Sequence, residues 1–292
     1  MLSLHTNNAS LSAQNSIAKT QSQLSTSMTR LSTGYRINSA MDDAAGLQIA
    51  TRLKAQTSGM AVAMSNTQNS TSMLQTAEGA FAEVTNMLVR MKDLATQAAD
   101  ASSNQADRTA MQAEYDALGT ELYNVMTNTT YGGSLLLGDG SAAAKGTLSA
   151  AMTFQIGASA SEKMGFTVAT DMGTLNTTLT GVSANFAATA PGGAELTTNA
   201  AANATIDKLA TAIGNVSTVR SALGAAANRL DHVNSNLSNI ATNTKAATGR
   251  IMDVDFATES SNMTSSQMLL QAGTAMLKQS NSMSSMVMSL LQ

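Results

Sequence analysis

Two groups of carboxylates are the side chains whose spacing first suggests chemistry. Asp42 and Asp43 are adjacent near the N-terminus, while Asp253, Asp255 and Glu259 cluster towards the C-terminus. Closely spaced carboxylates can bind a metal ion or act as a general acid and base. Either use requires further ligands or a neighbouring base, and the sequence places neither beside them. We therefore interpret the first pair as charges near a helix N-terminus, where the helix dipole favours them, and the second group as capping or solvated charges at a bend.

The cations nearest to these carboxylates are Arg36 and Arg250. Our hypothesis is that they pair with the carboxylates, either within one chain or between chains. Gly34 and Gly46 enclose the first acidic pair and predict a helix break followed by a new helix.

The sequence offers little else for catalysis or cofactor binding. It contains no cysteine, which excludes a disulfide framework, a thiolate zinc site and a cysteine nucleophile. Its two histidines, His5 and His232, are far apart and lack ligand spacing. No nucleophile with a base and no phosphate-binding loop can be recognised. We therefore predict a protein that is not an enzyme and needs no metal or cofactor.

Charge and hydropathy argue against two further classes of partner. The net charge is -3, the pI is about 5.3, and the 16 Lys and Arg residues are spread along the chain without a basic stripe. Nucleic acid is therefore not expected as a partner. No stretch approaches the roughly 18 consecutive apolar residues of a membrane span, so no membrane insertion is expected. The first residues also lack the pattern of a Sec-type signal peptide, so a chain that leaves the cytoplasm would need another route.

The elements that must position these residues are predicted to be long helices. The 292 residues are 43% hydrophobic but only 3% aromatic, with no Trp and one Pro, which suits thin, closely approaching helices. Apolar residues at seven-residue steps predict one helix of about 55 residues before a polar turn at 100–107. A second helix then folds back on it, and a third long helix covers 203–250.

Both chain ends have a narrower apolar pattern, typical of a seam rather than a broad core face. Helices with narrow seams fold by pairing with each other and with other chains, so we predict that these seams mediate self-assembly. The N-terminal seam consists of Leu4, Leu11, Ile17, Leu24, Met28 and Leu31, and the C-terminal seam of Met263, Leu269, Met276, Met283 and Leu290.

The middle of the chain, about residues 128–200, shifts to Gly, Ser, Thr and Ala. Short apolar or alternating runs at 135–137, 152–156 and 164–168 lie between turn residues and predict short antiparallel strands. The predicted fold class is therefore mainly α: an elongated bundle of long coiled-coil-like helices formed by both chain ends, with a small β-rich central segment.

Two long motifs near the chain ends resemble those of a known family. Residues 31–46, LSTGYRINSAMDDAAG, resemble the N-terminal signature of bacterial flagellins, and residues 250–259, RIMDVDFATE, resemble the C-terminal one. The resemblance extends over residues 1–170 and 203–292. It implies a structural subunit that is exported unfolded through the flagellar type III apparatus and polymerises into a helical filament for motility.

The resemblance also implies partners and a location. The partners are further copies in a homopolymer, an export chaperone that wraps the C-terminal helix, and the filament cap and hook-junction proteins. The chain would then be extracellular, in the flagellar filament. In that family a connecting segment joins the inner and outer helical domains, and its counterparts here are Gly34, Arg36, Asn38, Asp42 and Asp43.

Five segments follow from the same resemblance. Residues 1–43 are the N-terminal half of an inner filament-core domain with the connecting segment, 44–170 a helical domain with short β-hairpins, 171–202 a short variable central segment, 203–250 the C-terminal helix of the helical domain, and 251–292 the C-terminal half of the core domain.

A possible receptor surface lies on the second helix. Arg90, Leu94 and Gln97 are spaced four and three apart and share a helix face, and the helix that folds back can bring Glu114 close to them. Any long helix offers such a trio, so the spacing alone favours an ordinary mixed surface. In flagellins that resemble this chain, the matching Arg, Leu and Glu are recognised by the vertebrate Toll-like receptor for flagellin, which implies the same role for Arg90, Leu94 and Glu114.

Two alternatives remain open from the sequence. A hook–filament junction protein shares the helical ends, although both signature motifs favour the major subunit. A secreted coiled-coil binding module would differ in having terminal helices that are already folded in the monomer.

Overall fold

The computed structural model describes residues 7–141 and 145–290, with residues 284–290 as backbone only. Its helices are α1 (Asn8–Thr33), α2 (Ala44–Ala98), α3 (Gln105–Asn128), α4 (Ala169–Val182), α5 (Asn199–Met252) and α6 (Phe256–Leu290). Its strands are β1 (Thr130–Tyr131), β2 (Ser134–Leu135), β3 (Met152–Gln155) and β4 (Lys163–Phe166), and a 3₁₀ turn covers Thr147–Ser149. The strands form two small antiparallel sheets, so the predicted mainly-α class is confirmed.

The chain divides into two compact units. One combines Met1–Thr57 with Thr242–Gln292, and the other is Ser58–Ala241. Both boundaries fall inside long helices, since α2 and α5 each contribute residues to both units. The unit formed by the two chain ends contains α1 and α6.

A continuous apolar core fills the Ser58–Ala241 unit. Apolar residues three and four apart on a helix share one face, so a row at seven-residue steps becomes a buried stripe. The stripe on α2 includes Leu74, Ala77, Phe81, Val84, Leu88 and Met91, and that on α5 includes Leu209, Ala212, Val216, Val219 and Leu223. The seven-residue steps on α2 and α5 therefore fall on core positions of this unit.

Helix α3 folds back against this core. Its start is fixed by a capping box, in which Asn104 and Asp107 exchange backbone and side-chain hydrogen bonds. Tyr115 is fully buried, and its hydroxyl donates to the carbonyl oxygen of Val182 at 2.8 Å. Burial raises the pKa of the Tyr115 phenol, so the hydroxyl stays a donor.

Two of the three predicted strand runs are confirmed. β3 pairs antiparallel with β4, with Met152 opposite Phe166 and Gln155 opposite Lys163. Only the first residue of the 135–137 run lies in a strand, at the end of β2. The turn between β1 and β2 needs positive φ at two successive positions, which its Gly-Gly pair supplies.

The central segment is less β-rich than the sequence suggested, because α4 occupies residues 169–182 of it. The apolar residues of α4 are spaced three and four apart, and they pack into the core: Met172, Leu175, Leu179 and Val182. This helical period was present in the sequence, but the surrounding Thr and Gly residues have low helix propensity and obscured it.

The loop after α4 is held to α3 by a polar network centred on Gln112. The Gln112 amide nitrogen donates to Asp116 at 2.8 Å and to Glu195 at 2.9 Å. Its carbonyl oxygen accepts from the Leu196 backbone at 2.6 Å. Because the buried amide is satisfied on both sides, the network fixes the loop without an unpaired polar group.

Candidate assembly interface

In the unit formed by the chain ends, α1 lies antiparallel to α6. At one end the Asn7 side chain, which also caps α1, donates to Ser280 Oγ at 3.2 Å. At the other end Ser27 Oγ donates to Glu259 at 2.5 Å. Residues at the start of one helix therefore meet residues near the end of the other.

The two helices face each other through small side chains. Ser27 on α1 and Ser266 on α6 are buried, and Gly273 lies beside Ile17. A Cβ added at Gly273 would lie 2.9 Å from Ile17 Cγ1, which is closer than ordinary van der Waals contact. The glycine thus allows the helices to approach closely.

The N-terminal seam divides between two faces of α1. Ile17 contacts α6, and Leu24 and Leu31 follow at seven-residue steps and are half-buried. Leu11 and Met28 are exposed. Leu4 lies outside the described residues.

The C-terminal seam divides in the same way. Met263 is half-buried, and Leu270 and Leu277 follow it at seven-residue steps and are also half-buried. We call these three residues the inner face of α6. Sequence reasoning assigned only Met263 to the seam, although the seven-residue step contained the signal for the other two.

Three further seam residues of α6 are exposed and form what we call the outer row. Leu269 is 60% exposed, Met276 68% and Met283 52%. A row of large apolar side chains along one helix is typical of an interaction site. The side chain of Leu290 lies outside the described residues.

The connecting segment joins the two chain ends through backbone pairing. Gly34 ends α1 with φ of 76°, a left-handed conformation that favours glycine. Tyr35 then forms an antiparallel bridge with Asp253. Arg36 donates from its backbone to the Met252 carbonyl and from its guanidinium, at 2.8 Å, to the Ile251 carbonyl. Arg36 therefore caps the C-terminus of α5, where a cation is favoured, and within one chain this contact takes the place of the hypothesised pairing with a carboxylate.

The carboxylates of this segment are helix caps and turn anchors. Asp42 accepts from the Ser39 and Asn38 backbone at 2.9 and 3.0 Å, and these bonds lower the pKa of the Asp42 carboxyl. Asp43 accepts from the Gly46 backbone in the first turn of α2. The interpretation as charges at a helix N-terminus therefore holds for Asp43, whereas Asp42 closes the turn that precedes α2.

The second acidic group is not gathered into one site. Asp255 accepts from Thr258 and from the Ala257 backbone at the start of α6, which lowers the pKa of Asp255. Glu259 points to α1, and Asp253 pairs with Tyr35 through the backbone. Across residues 7–141 and 145–290, no three His, Cys, Asp or Glu side chains come together to hold a metal ion. In the same part of the chain, no helix has the length and apolarity of a membrane span.

The receptor candidates lie on α2 and α3. Arg90 Nε and Nη2 both donate to Glu114 Oε1, at 2.8 and 2.6 Å, and both side chains are exposed. Gln97 is exposed on α2, whereas Leu94 is only 2% exposed and lies in the core. The structure therefore brings Arg90 and Glu114 together on the surface and places Leu94 beneath it.

Two family models match the chain at its two ends. Residues 4–142 match the bacterial flagellin N-terminal helical region, and residues 206–291 match the bacterial flagellin C-terminal helical region. The matched ranges contain α1 to α3 and nearly all of α5 and α6, and they leave residues 143–205 outside both.

Known flagellins are similar in sequence to this chain over most or all of their length. Polar flagellin C of Vibrio parahaemolyticus is 32% identical to this chain, with both chains covered in full. A flagellin of Halalkalibacterium halodurans is 35% identical over 91% of this chain and 90% of its own. A solved structure described as a flagellar hook-associated protein from Vibrio parahaemolyticus has a TM-score of 0.56 at 17% identity, over 73% of this chain and 100% of the other, and shows the fold alone.

Proposed function

The chain belongs to the bacterial flagellin family and is a structural subunit of the flagellar filament, outside the cell, and from that premise we propose that α1 and α6 become fully packed only when copies of the chain polymerise. Polymerisation, and no catalytic step, is then its activity. Packing of the chain ends and association of the subunits then occur together. Association buries the apolar side chains of α1 and α6, and the packed helices provide the surface on which the next subunit binds.

The outer row of α6 carries this proposal. Burying a Leu or Met side chain completely contributes about 1.5–3 kcal/mol, and one chain leaves Leu269, Met276 and Met283 more than half exposed. The contact between α1 and α6 leaves its own apolar residues only half-buried, so it supplies only part of the free energy that full burial would give. A second copy that covers the outer row would supply the remaining free energy by burying these three side chains.

We expect the chain ends to be protease-sensitive in the monomer and protected in the polymer. Purified chain would be digested briefly before and after seeded polymerisation, with circular dichroism to follow helix content and electron microscopy to identify filaments. Cleavage within α1 and α6 should fall in the polymer, while the Ser58–Ala241 unit, with its continuous core, should resist digestion in both states and serves as the internal control. Equal resistance of the ends in both states, without filaments, would contradict the proposal and favour the binding-module alternative.

Other partners would bind the chain before it polymerises or at the ends of the polymer. An export chaperone that wraps α6 would cover the outer row until the chain leaves the cell, since an exposed apolar row in the cytoplasm invites premature association. The filament cap and the hook-junction proteins would meet the chain at the two ends of the polymer.

A second candidate function is recognition by the vertebrate Toll-like receptor for flagellin. The observation that favours it is the exposed Arg90–Glu114 pair, which presents both charges in a fixed arrangement on adjacent helices. Gln97 extends the same polar surface, and Leu94 supports it from the core.

Arg90→Ala is expected to raise the concentration of monomer needed for half-maximal receptor signalling by at least about tenfold, the effect of losing roughly 1.4 kcal/mol. The reason is that a charged contact is lost from an exposed surface without disturbing the core. Arg220→Ala is the matched control, because Arg220 forms a comparable exposed ion pair with Glu78 in the same unit. Equal potency of the two variants in a cell reporter assay would reject the receptor role.

A further inference from the structure

One charged residue lies where an apolar one would be expected. Among the described residues, Glu259 is the single charged side chain that is buried, with 7% of its surface exposed. It precedes Met263 by four positions and therefore continues the inner face of α6. Both of its partners belong to α1.

Each carboxylate oxygen of Glu259 has one of these partners. Ser27 Oγ donates to Oε1 at 2.5 Å, and Arg30 Nη1 lies 3.7 Å from Oε2. Burying a carboxylate is unfavourable unless a hydrogen-bond donor and an opposite charge compensate it. Glu259 is thus tolerated on the inner face because α1 supplies Ser27 and Arg30.

The apolar residues cannot by themselves direct this pairing. The inner face repeats every seven residues, as do Ile17, Leu24 and Leu31 on α1, so apolar contact is available in several arrangements. A second α6 would offer Met263, Leu270 and Leu277, which are as large and apolar as Ile17, Leu24 and Leu31 of α1. Apolar contact alone therefore does not distinguish α1 from a second α6 as the partner.

We infer that Glu259 is the specificity-determining residue of terminal helix pairing, directing the inner face of α6 to α1 and away from a second α6. In a pair of α6 helices the carboxylate would be buried without Ser27 and Arg30, which makes that pair unfavourable. The same logic applies in coiled coils, where one polar residue in the apolar seam selects the partner. The inference rests on the proposed function, since the choice of partner matters when many copies meet.

Engineered cysteines can report the pairing, because the chain has none of its own. Ser10 Oγ lies 3.2 Å from Asn281 Oδ1, so Ser10→Cys with Asn281→Cys should form a disulfide within one chain when α1 pairs with α6. Asn281→Cys alone can link only two α6 helices. Both reporter chains would be oxidised with diamide, in solution and after seeded polymerisation, and the products separated by non-reducing gel electrophoresis.

In these backgrounds Glu259→Leu should lower the intrachain disulfide at least about threefold and raise the α6–α6 link by a similar factor. Ser260→Leu, at the adjacent exposed position, adds the same side chain without touching the carboxylate and should match the parent. Glu259→Gln keeps an oxygen that accepts from Ser27, so it should restore most of the intrachain disulfide. This rescue would not be expected if position 259 mattered only for its size.

Two results would overturn the inference: Glu259→Leu behaving like Ser260→Leu in both reporters, or Glu259→Gln forming α6–α6 links as readily as Glu259→Leu. The α6–α6 link measured in solution shows whether Glu259 disfavours pairing of two α6 helices, even for a reporter chain that does not polymerise. Failure of the parent reporter to polymerise counts against the proposed function alone.

Discussion

Replacing Leu269 and Met276 with aspartate is expected to abolish polymerisation while leaving the monomer as stable as the wild type. Both side chains are mostly exposed in the single chain, so charges there cost the monomer little. In a polymer that covers the outer row, each charge would be buried without a partner, at a cost of several kcal/mol. The critical concentration should rise by roughly a thousandfold or more, since each 1.4 kcal/mol changes an equilibrium constant tenfold. Sedimentation of polymer and thermal unfolding of monomer measure the two quantities.

The matched control exchanges the same two side chains while keeping them apolar. Leu269→Met with Met276→Leu conserves volume and polarity approximately, so its critical concentration should stay close to that of the wild type. Filaments of the aspartate variant at the wild-type concentration would show that the outer row is not covered in the polymer.

Phe81→Ala is expected to lower the free energy of unfolding of the monomer by about 3–5 kcal/mol. Phe81 is fully buried in the core of the Ser58–Ala241 unit, and its removal leaves a cavity that the surrounding helices cannot fill. For a unit of this size each kcal/mol shifts the midpoint temperature by roughly 2–4 °C. Urea denaturation of the monomer, followed by circular dichroism, measures the change.

Val89→Ala provides the comparison on the same helix. Val89 is largely exposed, so this variant should change the free energy of unfolding by no more than about 0.5 kcal/mol. A loss in Phe81→Ala as small as that in Val89→Ala would mean that α2 does not pack on α3 and α5 as described.

The long helices could be predicted from sequence because their apolar rows are unambiguous. On α2 and α5 a single broad stripe repeats every seven residues, and only one face of each helix can then be buried. The helix α4 was hidden for the opposite reason. It has the same period, but it is 14 residues long and rich in Thr, so turn and strand signals around it dominated.

The division of the seams could not be predicted in the same way. Leu269, Met276 and Met283 repeat every seven residues, and so do Met263, Leu270 and Leu277. Both rows satisfy the same pattern, and only the close approach at Gly273 and the contacts of Glu259 decide which row meets α1.

The contacts of some side chains could not be predicted from their spacing in the sequence either. Arg36 was expected near a carboxylate because opposite charges lay close in sequence, yet it donates to the carbonyl that ends α5. Leu94 shares a helix face with Arg90 by spacing, but it is buried in the core of the Ser58–Ala241 unit. In each case a tertiary neighbour, absent from the local sequence, determined the contact.

The bridge between Tyr35 and Asp253 has a mechanical consequence. It is flanked by hydrogen bonds from Arg36 to Met252 and from Val254 to Gly34, so residues more than 200 positions apart are tied at one point. Tension applied to α1 and α6 passes directly across this tie and does not need to travel along the intervening chain. The loops between residues 36 and 252 can therefore lengthen or shorten without altering this direct connection between α1 and α6.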